Sequence, residues 1–462
     1  MVSHQIDFEI YSGSVCHPEV KKIFSERTRI GRWLYIEGVL ARSQADLGII
    51  PEEAADEIQS KADIKYVNFA EIKKEFETAR HTLMPVLKVF KRSCQGNAGE
   101  YLHYGATTQD ILDTAEVLEI KDALAVIYRE LRQLEANLLA QAEKHAATPM
   151  VARTHGQQAL PTTLGMKVAV WIREIRRHVE RLKQAGPRLF IGQLSGGVGT
   201  MAALGDKAFE VAQLTLERLG LKAPEISWHN SRDNIAELAC NLSLIATTGA
   251  KIGNEIFQLQ KVEFGELSEP YNRQAIGSST MPHKSNPVRS QRIVALSRHV
   301  RHLSGVIVES MAHEHERDMR CLGAEWLAVP EVCIYTAASL RHLNGITGGM
   351  AAYPEMMKKN MLLDKHGLLA EWLMFKLAPA LGKMKTHDLL HDVSVRTRTE
   401  QADFKESLLN HQEVREILTD QDLRFLDRPE LYTGKAQEIV ARVMAQTEQE
   451  RQSDPESLSD LV

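Results

Sequence analysis

A chain of 462 residues that is 44% hydrophobic and 25% charged has an ordinary globular make-up and is too long for one compact core, so two or three packed regions are expected. A net charge of −5 is small for this length and argues against a nucleic-acid partner. No segment is long and apolar enough to cross a bilayer, and residues 1–9 lack the pattern of a secretory signal, so no membrane partner and a cytoplasmic location are expected.

Aromatic residues make up only 6%, alternating β-branched runs are scarce, and apolar stripes at helical spacing recur. The expectation is an all-α fold of three helical regions: residues 1–111, a long-helix bundle over 112–360, and 361–462. The clearest stripe is Val117, Ile120, Leu124, Ile127, Leu131, Leu134 and Leu138, in alternating three- and four-residue steps with charges on the other faces. Further helices are expected over 163–185, 207–219, 233–262 and 289–311. Between them lie Gly- or Pro-containing loops at 105–110, 153–161, 192–205 and 277–287. The tail after Thr447, rich in Gln, Glu, Ser and Asp, is expected to be frayed. Cys16, Cys94, Cys240, Cys321 and Cys333 are scattered without metal-ligand spacing, which suits reduced thiols and no structural zinc.

Four segments carry chemical groups. In His103-Tyr104-Gly105-Ala106-Thr107-Thr108-Gln109-Asp110, hydroxyls and amides crowd a helix start, where the dipole favours a bound carboxylate; the same residues also suit simple capping. In Arg153-Thr154-His155-Gly156-Gln157, a histidine titrating near neutrality is a candidate general acid. In Gly277-Ser278-Ser279-Thr280-Met281-Pro282-His283-Lys284-Ser285-Asn286-Pro287, a loop offers a hydroxyl, a cation and an amide. A serine is a poor base in water, and serves only if amides or an ammonium stabilise its alkoxide. Glu314-His315-Glu316-Arg317-Asp318 mixes carboxylates and histidine, but its spacing is not that of a zinc site.

Together, in this order, these segments resemble the fumarase/aspartase superfamily, whose signature loop G-S-S-x-M-P-x-K-x-N is matched by residues 277–286. The resemblance runs from about Tyr11 to Val443 and points to the branch of adenylosuccinate lyase and 3-carboxy-cis,cis-muconate cycloisomerase. It implies a homotetramer with a twenty-helix core, active sites shared by three subunits, a dicarboxylate-type substrate and no cofactor. It implies anti-elimination through an aci-carboxylate carbanion, with Ser278 as base and His155 as acid. The implied substrate-binding set is Arg80, His81, Thr107, Thr108, Gln109, Thr154, Lys284, Asn286 and Arg317.

The departures narrow the substrate. No arginine stands beside Tyr11, Thr82 follows Arg80-His81 where adenylosuccinate lyases have aspartate, Ser285 follows the loop lysine, and Leu322 and Trp326 replace nucleotide-contacting polar residues. Each missing donor would cost a nucleotide about 1–3 kcal/mol. Trp228-His229, His313 to Arg317 and Ala324-Glu325-Trp326 resemble the cycloisomerases, whereas His155 replaces the tryptophan expected there. The first expectation is therefore a lyase releasing fumarate from a succinyl-substituted small molecule, by C–N cleavage of an N-substituted aspartate. A muconate cycloisomerase is second and adenylosuccinate lyase third. A silent scaffold is disfavoured by the intact Ser278, Lys284 and His155.

Overall fold

The computed structural model describes residues 3–272, 274, 277–364 and 366–461. Helix α1 spans Glu26–Asp46, and α2 runs unbroken over Thr108–Lys144. The bundle continues with α3 (Leu164–Leu189), α4 (Asp233–Gln260), α5 (Val288–Glu309) and α6 (Met319–Thr347). The expected stripe on α2 is its core face, with all seven side chains at most 1% exposed. Each such side chain contributes about 1.5–3 kcal/mol by leaving water. Helix α2 packs along α3 and α6, α3 along α4, and α5 lies between α4 and α6. The sequence reading had no helix where α6 lies, because its small and apolar residues show no clean amphipathic period.

The loop expected at 153–161 is instead a hairpin of β1 (Pro149–Thr154) and β2 (Gln157–Thr163). A second short pair joins β3 (Leu267–Ser268) to β4 (Ala351–Ala352).

The tail is not frayed. A last helix, α7 (Ala436–Gln452), packs on α2 and α3, and Leu458 is fully buried beyond it. The Asp454 carboxylate meets Arg176 Nη1 at 2.8 Å and Lys183 Nζ at 2.9 Å, and also pairs with Arg132. Tyr128 donates to the Pro455 carbonyl at 2.9 Å. Composition registers the tail as polar, but its polar groups are spent on buried cations of α2 and α3. A separate apolar cluster, including Leu373, Leu377, Val393, Phe404 and Leu426, holds the segment before α7.

Candidate active site

The expected site residues fall into two groups at opposite poles of the bundle. The first lies where α2 begins. Gly105 has φ +77°, and a Cβ there would lie 2.8 Å from the Ala203 carbonyl, so only glycine lets the chain enter the helix this way. Before it, the His103 amide donates to Glu37 at 3.0 Å, and its ring meets the same buried carboxylate at 2.7 Å. Burial pulls that imidazole down, but Glu37 holds it above its ordinary value.

Thr107 and Thr108 are half-buried, and the Asp110 carboxylate closes the first turn by accepting from the Thr107 amide at 2.9 Å. Asp110 also accepts from the amides of Ser195 and Gly196, at 2.9 and 3.0 Å, and so pins the loop before Gly199 against the helix start. His229 Nε2 lies 3.1 Å from Asp110, while its Nδ1 faces Arg317 Nη2 at 3.2 Å. A guanidinium only donates, so Nδ1 accepts and the ring proton sits on Nε2, directed at Asp110. Arg317 further donates to the Gly197 carbonyl at 2.8 Å. Gln109 is buried, with its amide donating to Asp113 at 2.7 Å. Arg80 and His81 stand exposed on a turn that reaches the same pole, because the adjoining Thr82 lines a cavity with Leu112 and Ala115 of α2.

The second pole lies where α2 ends. Gln141 donates to the Thr347 carbonyl at 3.0 Å, fixing the ends of α2 and α6 together, and the hairpin follows. Thr154 and Gln157 close a two-residue turn of His155 and Gly156, with φ +52° and +77°. Two left-handed residues in succession define a type I′ turn, which matches strand twist and thrusts the exposed His155 outward. Arg153 anchors the hairpin by a two-pronged bond to buried Glu266, at 3.0 and 2.6 Å, and Asn360 donates to that carboxylate at 2.7 Å. Among the described residues six non-glycines are left-handed, and two of them, Arg80 and His155, belong to the expected site.

The signature loop is rooted at this pole. Glu269 accepts from the amides of Arg289 and Ser290, at 3.2 and 2.6 Å, and caps α5, while Gln260 donates to the Ser285 carbonyl at 3.4 Å. The Asn286 side chain donates to the Gly277 carbonyl and closes the loop into a ring. A Cβ on Gly277 would lie 1.8 Å from the Lys284 carbonyl, so no side chain fits where the ring crosses itself. Ser278 Oγ accepts from the amides of Met281 and Thr280, at 3.0 and 3.3 Å. Two amide dipoles aimed at a hydroxyl oxygen favour its ionised form. Lys284 is exposed on the same ring.

One chain therefore unites Arg80, His81, Thr107, Thr108, Gln109 and Arg317 at one pole, and Thr154, His155, Ser278, Lys284 and Asn286 at the other. Helix α2 separates them by 37 residues, about 55 Å at 1.5 Å per residue.

Sequence reasoning named Asp110 only as a cap, which it is, and gave no role to its bond with His229 or to Glu266. Their signal was composition alone, since buried ionisable groups in a helical chain demand partners. The same holds for Arg232, which is fully buried and meets Asp113 at 3.1 Å, Glu116 at 3.3 Å and Glu325 at 3.1 Å. One guanidinium faces three carboxylates. Burial raises Asp113, and burial with the nearby Glu325 raises Glu116 well above its ordinary value.

Arg232→Met is expected to cost about 3–5 kcal/mol, because it leaves buried carboxylates uncompensated. Glu116→Gln is expected to be tolerated. A carboxyl raised on folding contributes stability at acid pH that is lost as pH rises above 4.5, its ordinary value. The Gln variant should therefore gain on the wild type as pH rises above 4.5. Thermal unfolding of both variants across that range checks the pair; a growing deficit for Glu116→Gln would show that Glu116 is ionised.

Among the described residues no group of three or more His, Cys, Asp or Glu side chains is placed to hold a metal ion, and no helix is long and apolar enough to cross a membrane.

This geometry can be set beside known proteins. A lyase family model matches residues 13–301, and one for the adenylosuccinate lyase C-terminus matches 368–443. The chain is 40% identical to N-acetyl-S-(2-succino)cysteine lyase of Dickeya dadantii, over 96% of this chain and 98% of that one. It is 39% identical to adenylosuccinate lyase of Pyrococcus horikoshii, over 97% and 99%. The solved 3-carboxy-cis,cis-muconate lactonizing enzyme of Pseudomonas putida superposes with a TM-score of 0.89 at 34% identity, covering 96% of this chain and 99% of that one. Likeness over nearly the full length, on a fold with the signature loop at one pole and the threonine-rich helix start at the other, places this enzyme among the lyases: the chain belongs to the fumarase/aspartase superfamily, on the branch of adenylosuccinate lyase and 3-carboxy-cis,cis-muconate cycloisomerase.

Proposed function

We propose that the enzyme releases fumarate or a close analogue from a succinyl-substituted small molecule by β-elimination. The observation that carries this reading is Ser278 Oγ facing two backbone amides in a ring closed by Asn286, at the pole that presents His155. Ionised Ser278 takes a proton from the carbon beside a carboxylate. The electron pair moves into that carboxylate as an aci-carboxylate carbanion, held by Lys284 and Asn286. Its collapse forms the double bond and expels the heteroatom, which takes its proton from His155. Protons and electrons balance without a cofactor. Thr107, Thr108, Thr154 and Arg317 are assigned to the substrate carboxylates, with the α2 dipole behind the first two.

Because 55 Å or so of helix separates the two poles, the reading includes a homotetramer in which several copies complete each site. It also includes a cytoplasmic location, which the unpaired cysteines suit.

The leaving heteroatom is nitrogen or sulfur. An exposed acid at His155 favours an amine, which leaves poorly without a proton, and the likeness to an enzyme named for a succinyl thioether favours sulfur. The deciding experiment offers the purified enzyme N-acetyl-S-(2-succinyl)cysteine, adenylosuccinate, argininosuccinate, aspartate and 3-carboxy-cis,cis-muconate, with fumarate followed by ultraviolet absorbance. Turnover of muconate alone would establish the cycloisomerase reading that the Pseudomonas putida likeness favours.

His155→Asn tests the acid, since asparagine tolerates the left-handed turn position. The expected loss is about 100-fold or more on amine conjugates and under about tenfold on thioethers, because a thiolate departs without prior protonation. Equal losses on both would reduce His155 to shaping the pocket.

A further inference from the structure

Beside the first pole lies a cavity that the elimination step leaves unused. Its volume is about 100 Å³, and it is lined by Trp33, Thr82, Leu112, Ala115, Glu116 and Trp326. The paired Arg29 and Glu119 form one side of it, with the guanidinium bonded at 3.0 and 2.7 Å. Past Arg29, Trp33 and Thr82 it continues into a cleft walled by Phe69, Phe76 and Pro85. Leu112, Ala115 and Glu119 follow Thr108 at steps of four, three and four residues, so the cavity runs along the α2 face that starts at the proposed carboxylate subsite.

The charges on its wall are spent. Arg29 is committed to Glu119, and Arg232 behind the wall to Asp113 and Glu325, so among the described residues the cavity itself offers a phosphate or carboxylate no uncommitted cation; Lys73 stands exposed in the adjoining cleft, outside the cavity. Glu116, whose carboxyl is raised by burial and by Glu325, offers one polar contact between apolar and aromatic faces. A group that enters here gains by shedding water from apolar surface, and an anion would lose its hydration without a partner.

We infer that this cavity receives the leaving group of the elimination and selects succinyl conjugates whose leaving group carries an uncharged apolar arm, such as an aryl ring packed between Trp33 and Trp326. The inference rests on the lyase reading, and it makes Trp33, Ala115 and Trp326 the residues that determine specificity.

Two thioethers with the same breaking bond separate the arm from the chemistry: the 2-succinyl conjugates of 2-phenylethanethiol and of N-acetylcysteine. In the wild-type enzyme kcat/KM for fumarate release is expected to be about tenfold or more higher for the phenylethyl conjugate. Ala115→Leu, which fills the cavity, should abolish that preference while leaving the N-acetylcysteine conjugate within about threefold. Trp326→Ala, on a partly exposed helix face, gives a second readout should Ala115→Leu fail to fold: the phenylethyl preference should fall mainly through KM. Equal kcat/KM for the two conjugates in the wild type, or an unchanged preference in a folded variant, would overturn the pocket assignment while leaving the lyase reading in place. No fumarate from either conjugate would overturn the pocket assignment, and no fumarate from the amine conjugates either would overturn the lyase reading with it.

Discussion

Ser278→Ala is expected to lower kcat by about 10³-fold or more while the fold and substrate affinity stay near those of the wild type. The carbon acid beside a carboxylate is so weak that removal of its base leaves no route to the carbanion. The loop geometry supports the assignment: Ser278 Oγ is the oxygen toward which the Thr280 and Met281 amides point, whereas Ser279 beside it is exposed. A hydroxyl engaged only in a turn would share that hydrogen-bond pattern, since serine often bonds the amides two and three residues ahead. Kinetics separates the two roles. A structural turn serine replaced by alanine should loosen the loop and raise KM, with kcat falling modestly; a base replaced by alanine should lose kcat with binding retained. Stopped-flow fumarate release, calorimetric binding of the conjugate and the unfolding midpoint, measured on one preparation, make the distinction. Near-normal kcat would remove Ser278 from the role of base.

Much of the bundle was legible because its signal is local. The stripe from Val117 to Leu138 is a 3.6-residue period written into the chain, and the structure buries every member of it. The hairpin was illegible for an equally local reason: its strands carry Pro149, Pro161 and several polar residues, so the eye reads a loop, and only the His155-Gly156 turn hints at a type I′ hairpin. The tail failed differently. Its charges look like solvent-seeking groups until Arg176 and Lys183, more than 250 positions earlier, are seen waiting for Asp454.

The sharing of the site among subunits was expected only from the resemblance, because a motif order along the chain says nothing about distance. Thr107 and His155 are 48 positions apart, and 37 of the residues between are drawn out into a single unbroken helix. A helix of that length is an obstacle to any site within one copy, and it is also a ruler: two copies laid antiparallel along it would set the threonine pole of one beside the hairpin of the other.

That geometry gives the second large effect. Ser278→Ala disables only the signature-loop pole, and a double variant Thr107→Val/Thr108→Val disables only the pole at the start of α2. Each alone is expected to be inactive. If the poles of one site come from different copies, co-expression or denaturation and refolding of an equal mixture should restore activity, because a copy with an intact first pole can meet a copy with an intact second pole. Random assortment gives each site a chance of one half for either intact pole, so recovery should approach about one quarter of the wild-type rate. Separately folded variants mixed without exchange should stay inactive. A site built within one chain would predict no recovery in either mixture, because every chain would carry one dead pole. The size of the signal is what makes the test decisive: it rises from a baseline near zero and needs no assumption about which heteroatom leaves.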